Sequence, residues 1–565
     1  MKNLVLNEVD KYETLQEMVI NSAKKFGDKL ALEDLKDYPI KSVSYNQLMD
    51  FAFRFGKSIE NLGISQRDKI ALIGENRVQW GLSYLAINSW NFVVVPIDKA
   101  LTEAEILNII YESEAKVVVF SSTFEDLFAE KHNSLKNVRN FICMDKTTNP
   151  NFLQMKEMID QAESIKIADL PKIDAENLTE IIFTSGSLGH SKGVMLSQKN
   201  IMTNIHDMLR MLAMYPTDRF LSVLPIHHTY ECTCGLLCPL YSGSSVHYSR
   251  SLKTVVEDLM KVKATILLGV PLLYDKMFKR IMKTINEDKV KSKVVPIMQK
   301  ATNLLTKFGI NVKRKIFTEL HEKFGGSIRI FIAGGAAPDP KVAKGLRDFG
   351  FSFLQGYGLT ETSPILTLNR IDDFKDDAAG LPLPSVQIKI NNPNQEGHGE
   401  IFAKAPSVML GYYKNPELTA EVIEDGWFKT GDIGYIDEDG FLHINGRKKN
   451  VIISKSGKNV FPEEIEEVLN RSDFILESVI VGANDEKQGE IILAQIFPDS
   501  EQFIEYAENF GIKLTEDVIY NKIKEEVEIA NQHLASFKKI QKFIVREKEF
   551  EKTTTQKIKR HLVSN

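Results

Sequence analysis

Three short runs constrain the fold of this chain more than anything else in it: Lys69 to Gly74, Phe92 to Ile97 and Ala115 to Phe120. Each is continuously apolar and rich in β-branched residues, with no polar–apolar zigzag, so each predicts a strand covered on both faces. Between them the pattern turns helical, over Val78 to Ser89 and over residues 101–112. Thr14 with Glu17, and Ser44 with Gln47, carry the spacing of a capping box ahead of two amphipathic helices. Buried strands alternating with helices predict an α/β layered fold with parallel sheets. The alternation resumes with Ile181-Ile182-Phe183, Arg219 to Pro225, Ala264 to Pro271, Ile328 to Ala333 and a strand ending at Leu354. Ligands of open α/β sheets sit beyond the carboxyl ends of the strands. The polar and glycine-rich segments that follow these strands are therefore candidates to line one crevice.

The richest such segment is Thr184-Ser185-Gly186-Ser187-Leu188-Gly189-His190-Ser191-Lys192-Gly193. Glycines let successive backbone amides converge on an anion, hydroxyls add donors and lysine adds a point charge, so the loop suits a phosphate. It is not a Walker A loop. Ser191 stands where that motif needs glycine, and Gly193 where it needs the hydroxyl that holds magnesium. Taken alone, the segment leaves open a second reading, a surface turn of small polar residues.

At 565 residues the chain exceeds one ordinary core, so several domains are expected. A net charge of -5 gives no general attraction to nucleic acid. The four cysteines are too few and too clustered for a disulfide framework, and with no signal-peptide pattern at the start the expected location is cytoplasmic. Cys232, Cys234 and Cys238 beside His227 and His228 lack the paired spacing of a zinc site and read as small buried residues. Residues 276–325 hold 13 Lys/Arg against four acids, with Ile297, Ala301, Leu304 and Leu305 at helical spacing. A basic amphipathic helix pair of this kind suits an anionic membrane or an acidic partner; the alternative is a long solvated helical hairpin. Past Phe374, Asn-Pro, Glu-Gly and Asp439-Gly440 turns break short strands, which predicts a small antiparallel subdomain over about 375–446. A polar joint at 447–450 precedes a compact α+β domain over 451–565.

Five segments in order resemble the motifs of the adenylate-forming (AMP-binding) enzyme superfamily, which includes acyl-CoA synthetases, peptide-synthetase adenylation domains and luciferases. They are the loop 184–193, Gln355 to Thr362, Asp425 to Asp432, Gly446-Arg447 through Glu466, and Thr555 to Ile558. Leu224 to Glu231 looks most like the long-chain fatty-acid–CoA ligases. The resemblance covers nearly the whole chain. It implies a large N-terminal region of layered βαβ subdomains, 1–446, and a small mobile C-terminal domain.

The implied reaction is attack of a carboxylate on the α-phosphorus of ATP, giving acyl-adenylate and pyrophosphate, followed by attack of a thiol that expels AMP. By the same resemblance, Thr184, Ser185, Gly186, Ser187, Gly189 and Lys192 hold the β- and γ-phosphates, and Glu361 with Thr184 holds Mg²⁺. Thr360 bonds a phosphate oxygen or merely caps the helix expected to start there. Gly335, Ala336, Ala337, Gln355, Gly356, Tyr357 and Gly358 surround adenine. Asp432 and Arg447 take the ribose, and His228 stands at the acyl wall. Lys557 offsets charge in the adenylation step. The small domain turns about Lys449, exchanging Lys557 for Ser454, Gly457 and Lys458 at the thiol-carrier side. Leu188, Ser191, Asn450 and Gln556 depart from the residues usual at those motif positions, namely threonine, proline, aspartate and glycine.

These implications favour an ATP- and Mg²⁺-dependent ligase joining a medium- or long-chain fatty acid to CoA. A carrier-protein phosphopantetheine as acceptor is the second reading, in which 276–325 greets an acidic partner. A non-catalytic adenylate-binding scaffold is the third.

Overall fold

A computed structural model of the chain describes residues 5–184, 192–453, 459–485, 489–553 and 557–563. The α/β reading holds. The three apolar runs form strands Lys69–Ile73, Val93–Ile97 and Val117–Phe120, parallel to one another and almost wholly buried. They belong to an eight-stranded sheet that runs from Phe152–Gln154 at one edge to Gly411–Tyr412 at the other. At the latter edge parallel pairing gives way to an antiparallel hairpin, Leu178–Thr184 with Lys192–Ser197.

A second sheet has nine strands, with Leu30–Asp34, Ser245–Tyr248, Arg219–Ser222, Ile266–Gly269, Ile330–Ala333 and Ser352–Gly358 parallel at its centre. The helix Val78–Ser89 is buried at every position, and its residues share one core with Ile70 and Val94 of the first sheet and Phe220 and Leu268 of the second. Burial between two layers leaves the helix no solvent face, and its polar Ser83 and Asn88 donate to the helix's own carbonyls of Gln79 and Tyr84.

Local signals set several boundaries. The Ser44–Gln47 capping box forms in both directions. At Thr14 only half of the pattern forms: its hydroxyl accepts from Glu17, whose carboxylate turns to the Glu13 amide instead.

Two expectations are revised. The strand expected to end at Leu354 continues through Gln355, which pairs in parallel with Ala333, and through Gly356, Tyr357 and Gly358, which pair antiparallel with Ile365–Leu368. The expected helix pair in 276–325 is instead a run of four helices, Pro271–Glu287, Lys291–Lys307, Lys313–Ile316 and Thr318–Glu322.

The chain divides into two compact units: Met1–Ile388 with Ala403–Phe428 and Asp439–Phe441, and Lys389–Phe402 with Lys429–Glu438 and Leu442–Asn565. In the second unit, Asp432 to Ile436 pairs antiparallel with Leu442 to Arg447. The same unit contains a three-stranded sheet of Ile475–Asp485, Gly489–Pro498 and Lys542–Val545. Helices Pro462–Leu469 and Glu516–Gln532 close over it, burying Ile465, Leu469, Ile480, Ile496 and Ile523 together. Among the described residues no helix is long and apolar enough to cross a membrane.

Candidate active site

The hairpin of the first sheet places Thr184 opposite Lys192 in register, with the Thr184 hydroxyl 3.5 Å from the Lys192 carbonyl. Ser185, Gly186, Ser187, Leu188, Gly189 and Ser191 lie outside the described residues. Beside the hairpin, Gly411 and Tyr412 pair antiparallel with Met195 and Val194. This addition sets Tyr412 next to Lys192: the ammonium lies 3.4 Å from the phenol oxygen and 4.8 Å from the ring centroid. The Tyr412 hydroxyl in turn donates to Oε1 of Glu361 at 2.8 Å. A lysine, a phenol and a carboxylate from three separate segments thus form one chain. Tyr412 has no part in the motif reading; its neighbours in sequence carry no charge pattern to mark it, and its position follows from strand pairing alone.

Glu361 sits on a single 3-10 turn, Thr360–Thr362, directly after the Ser352–Gly358 strand. Its carbonyl accepts from the Met409 amide at 2.9 Å, so the segment carrying Tyr412 and the turn carrying Glu361 are tied at two points. The glycine before the turn is obligatory: a Cβ on Gly358 would lie 1.8 Å from the Pro364 carbonyl oxygen. Thr360 is buried, while Glu361 is half-exposed. A half-exposed carboxylate and a threonine hydroxyl are hard oxygen donors of the kind Mg²⁺ takes, so Glu361 and Thr184 fit that ion chemically.

The adenine candidates come from neighbouring strands. Ala333 and Gln355 are register partners in parallel strands, so Gly335-Ala336-Ala337 follows its strand at the carboxyl edge of the sheet, where Tyr357 extends the neighbouring strand. Gly335, at φ +86°, Ala336 and Ala337 are exposed. The Gln355 amide donates to the Ala378 carbonyl, holding it in the core. At the same edge Tyr230 donates to the Ile332 carbonyl at 3.1 Å, and its ring fills the space where a Cβ on Gly334 would stand, 2.7 Å away. This contact brings the His228 segment against the Gly334–Ala337 turn. The His228 ring nitrogen Nδ1 accepts from the Tyr230 amide at 3.4 Å. His227 points elsewhere, 3.6 Å from the Asp98 carboxylate, with burial lowering its pKa.

Glu231 follows Tyr230 on a buried π-helical turn, Tyr230–Leu237, and burial pushes its carboxyl up to about 8. Its side chain folds over Gly235, where a Cβ would lie 2.8 Å from the carboxyl group. Glu180, bonded by the Tyr84 hydroxyl at 3.1 Å, is likewise pushed up to about 8 by burial. The four cysteines are buried and form no disulfide.

In the second unit Asp432 and Arg447 face each other across the hairpin, with Nε 2.9 Å from Oδ1. Arg447 also donates to the Thr430 carbonyl at 3.2 Å, and the Thr430 hydroxyl caps the Asp432 amide at 3.1 Å. Asp432 is buried while Arg447 is half-exposed, a rigid carboxylate held by its own cation. Lys449 is exposed on the turn Lys448–Asn450. The departure at Asn450 has a local reason: its side-chain amide donates to Glu463 at 2.7 Å, where an aspartate would oppose a carboxylate. Lys557 is exposed; its carbonyl accepts from the Thr553 amide at 2.8 Å, and its amide donates to the Thr553 hydroxyl at 3.2 Å. Ser454, Gly457, Lys458 and Gln556 lie outside the described residues.

A phosphate-type hairpin, an acidic turn and a glycine-rich sheet edge define a nucleotide-handling α/β enzyme. Comparison with known proteins narrows the class. The AMP-binding enzyme family matches residues 19–413, and its C-terminal domain matches residues 449–565. A long-chain-fatty-acid–CoA ligase of Mycobacterium tuberculosis is 28% identical over 542 residues, covering 89% of this chain and 87% of that protein. A chloroplastic long-chain-fatty-acid–[acyl-carrier-protein] ligase of Arabidopsis thaliana is also 28% identical, over 84% of this chain and 75% of its own. Among solved structures, ATP-bound MatB from Rhodopseudomonas palustris superposes with a TM-score of 0.75 at 25% identity, covering 97% of this chain and 98% of that one. The chain belongs to the AMP-binding enzyme family. It is an adenylate-forming acid–thiol ligase that binds ATP.

Proposed function

We propose that the enzyme converts a medium- or long-chain fatty acid, ATP and CoA into acyl-CoA, AMP and pyrophosphate. The observation that carries this reading is the Lys192–Tyr412–Glu361 chain, which binds a cation and a metal-type carboxylate to the hairpin of the phosphate loop. A carboxylate oxygen of the acid attacks the α-phosphorus, and the bond from that phosphorus to pyrophosphate breaks. Lys192 and the loop 184–191 hold the departing phosphates. Mg²⁺ on Glu361 and Thr184 would supply charge neutralisation on the phosphate oxygens. Lys557 offsets charge developing between the acid and the α-phosphate, and His228 orients the acid. The thiol then gives its proton to solvent and attacks the acyl carbon, and the carbon–oxygen bond to AMP breaks. Adenine rests against Tyr357 and the Gly335–Ala337 turn, and the ribose hydroxyls take Asp432 and Arg447.

In this reading residues 1–446 are the adenylation part and 451–565 the part that turns about Lys449. That turn brings Ser454, Gly457 and Lys458 to the thiol. The location proposed is the cytoplasm. The fatty-acid assignment is supported by what the mycobacterial relative's name says it acts on, and a carrier-protein acceptor by the name of the Arabidopsis relative.

The test is thioester formation over short, medium, long and aromatic acids, each offered CoA or acyl-carrier protein. Highest kcat/KM for a medium or long acid with CoA supports the proposal. Preference for carrier protein transfers it to the second reading, and turnover of short or aromatic acids alone overturns the substrate assignment.

A further inference from the structure

The helix Lys291–Lys307 has two apolar stripes, and only one of them is covered. Val295 and Met298 pack against the core of the second sheet, Thr302 is buried, and Asn303 donates to Asp348 at 2.9 Å. The other stripe is Val290, Val294, Ile297, Ala301, Leu304 and Phe308, spaced by threes and fours from the residue before the helix to the residue after it. Every member is exposed: Ile297 by 67%, Leu304 by 58% and Phe308 by 75%. The periodicity seen in the sequence at Ile297, Ala301 and Leu304 therefore belongs to the outward face. Large apolar side chains in a continuous exposed stripe mark a contact surface rather than scattered surface residues. At the rise of an α-helix this stripe is about 27 Å long.

The charge beside the stripe has one sign. From Lys289 to Thr318, 30 residues contain eight Lys/Arg and no Asp or Glu. Three of those cations are engaged within the fold: Lys291 with Glu319 at 3.0 Å, Lys313 with the Arg347 carbonyl, and Arg314 with the Ile328 and Gly326 carbonyls. Lys293, Lys300 and Lys307 are exposed and recur every seven residues, so they run along one flank of the stripe, about 60–100° round the helix from it. Lys289 and Lys315 are exposed at either end of the segment.

We propose that this face seats on an anionic lipid bilayer, with Ile297, Leu304 and Phe308 entering the headgroup–acyl boundary and Lys293, Lys300 and Lys307 meeting lipid phosphates. An apolar helical stripe edged by lysines is the composition of an interfacial helix. The absence of acids over 30 residues complements an anionic surface along the full length of the stripe. None of these residues belongs to the candidate active site, and the proposal holds whichever acid the enzyme activates.

The test is flotation of the full-length protein with vesicles of equal parts phosphatidylcholine and phosphatidylglycerol, against vesicles of phosphatidylcholine alone. Two variants are compared with the wild type: Ile297→Ser/Leu304→Ser/Phe308→Ser, and Lys293→Gln/Lys300→Gln/Lys307→Gln. Their thermal melting shows that each is folded, since the substituted side chains are exposed. The wild type is expected on the anionic vesicles only, with binding that weakens in high salt. The apolar variant is expected to stay in the unbound fraction. Each lysine near an anionic surface is worth about fivefold, so the lysine variant is expected to bind roughly 100-fold more weakly. Absence of wild-type flotation, or flotation unchanged in the apolar variant, overturns the proposal. So does a surface that instead mediates self-association or capture of an acidic acyl-carrier protein, lost in the same variants without any vesicle binding.

Discussion

The Tyr412 hydroxyl donates to the Glu361 carboxylate at 2.8 Å while standing 3.4 Å from the Lys192 ammonium. A phenol has one proton to give and lone pairs to receive with. Donating to the carboxylate and accepting from the lysine fixes both partners and leaves the metal-type oxygen and the phosphate-type cation a set distance apart. Removing the hydroxyl while keeping the ring separates this role from packing. Tyr412→Phe is expected to lower kcat/KM for ATP by about 10–100-fold, since a hydrogen bond to a charged group is worth about 1.5–3 kcal/mol. The apparent Mg²⁺ requirement should rise with little change in melting temperature. Unchanged ATP and Mg²⁺ dependence would remove Tyr412 from the site.

Gly358 concerns the backbone that presents Glu361. A Cβ there meets the Pro364 carbonyl oxygen at 1.8 Å, so Gly358→Ala must displace the turn or the strand beside it. Overpacking of this kind costs about 1–3 kcal/mol, and here it falls on backbone, which yields less readily than a side chain. The variant is expected to melt several degrees lower and to lose adenylation more completely than its stability loss explains. Gly335→Ala is a useful comparison. Its φ of +86° is strained for alanine, but the Gly335–Ala337 turn is exposed, so a smaller fall in melting temperature is expected.

The buried carboxyl of Glu231 predicts a pH dependence of stability. Its value in the fold is raised from 4.5 to about 8, chiefly by burial. The folded protein therefore holds more protons than the unfolded chain between these values. Stability from this group is fully present below about pH 4.5 and is lost as pH rises through about 8. Glu231→Gln, which cannot ionise, is expected to melt higher than the wild type near pH 9 and no higher near pH 5. Glu180, with the same direction and cause, would leave part of the slope behind. Parallel melting curves for wild type and variant across this range would contradict the buried neutral carboxyl.

Lys557 provides a half-reaction test. Lys557→Ala is expected to abolish acid-dependent ATP–pyrophosphate exchange and to spare thioester formation from preformed acyl-adenylate. Equal loss of both half-reactions would sink its assignment to the first step.

The sequence was most legible where a local device sets a boundary. Pro462 opens the helix Pro462–Leu469, and Val78–Ser89 and Glu516–Gln532 form over the spans read as helical. It was least legible where partners are distant in the chain. Tyr412 lies 51 residues from Glu361 and 220 from Lys192, so no window of sequence joins them. Gln355 to Gly358 look like a turn because glycines break patterns; pairing with Ala333 and with Ile365–Leu368 makes them strand. In Lys291–Lys307 the helical period was plain, but periodicity identifies a helix without saying which of two apolar stripes the core will cover. The family motifs named Glu361, Asp432 and Arg447. What they could not give was the local partner of each: Tyr412 for the first, and each other for the second and third.

The measurement closest to the central claim is ATP–pyrophosphate exchange by the purified wild type with Mg²⁺, with and without added fatty acid, beside Glu361→Gln. Exchange that depends on the acid, and that the variant loses while keeping its melting temperature, is the result expected of an adenylate-forming ligase working through this site. Acid-independent exchange, no exchange with any acid, or full exchange in Glu361→Gln would contradict it.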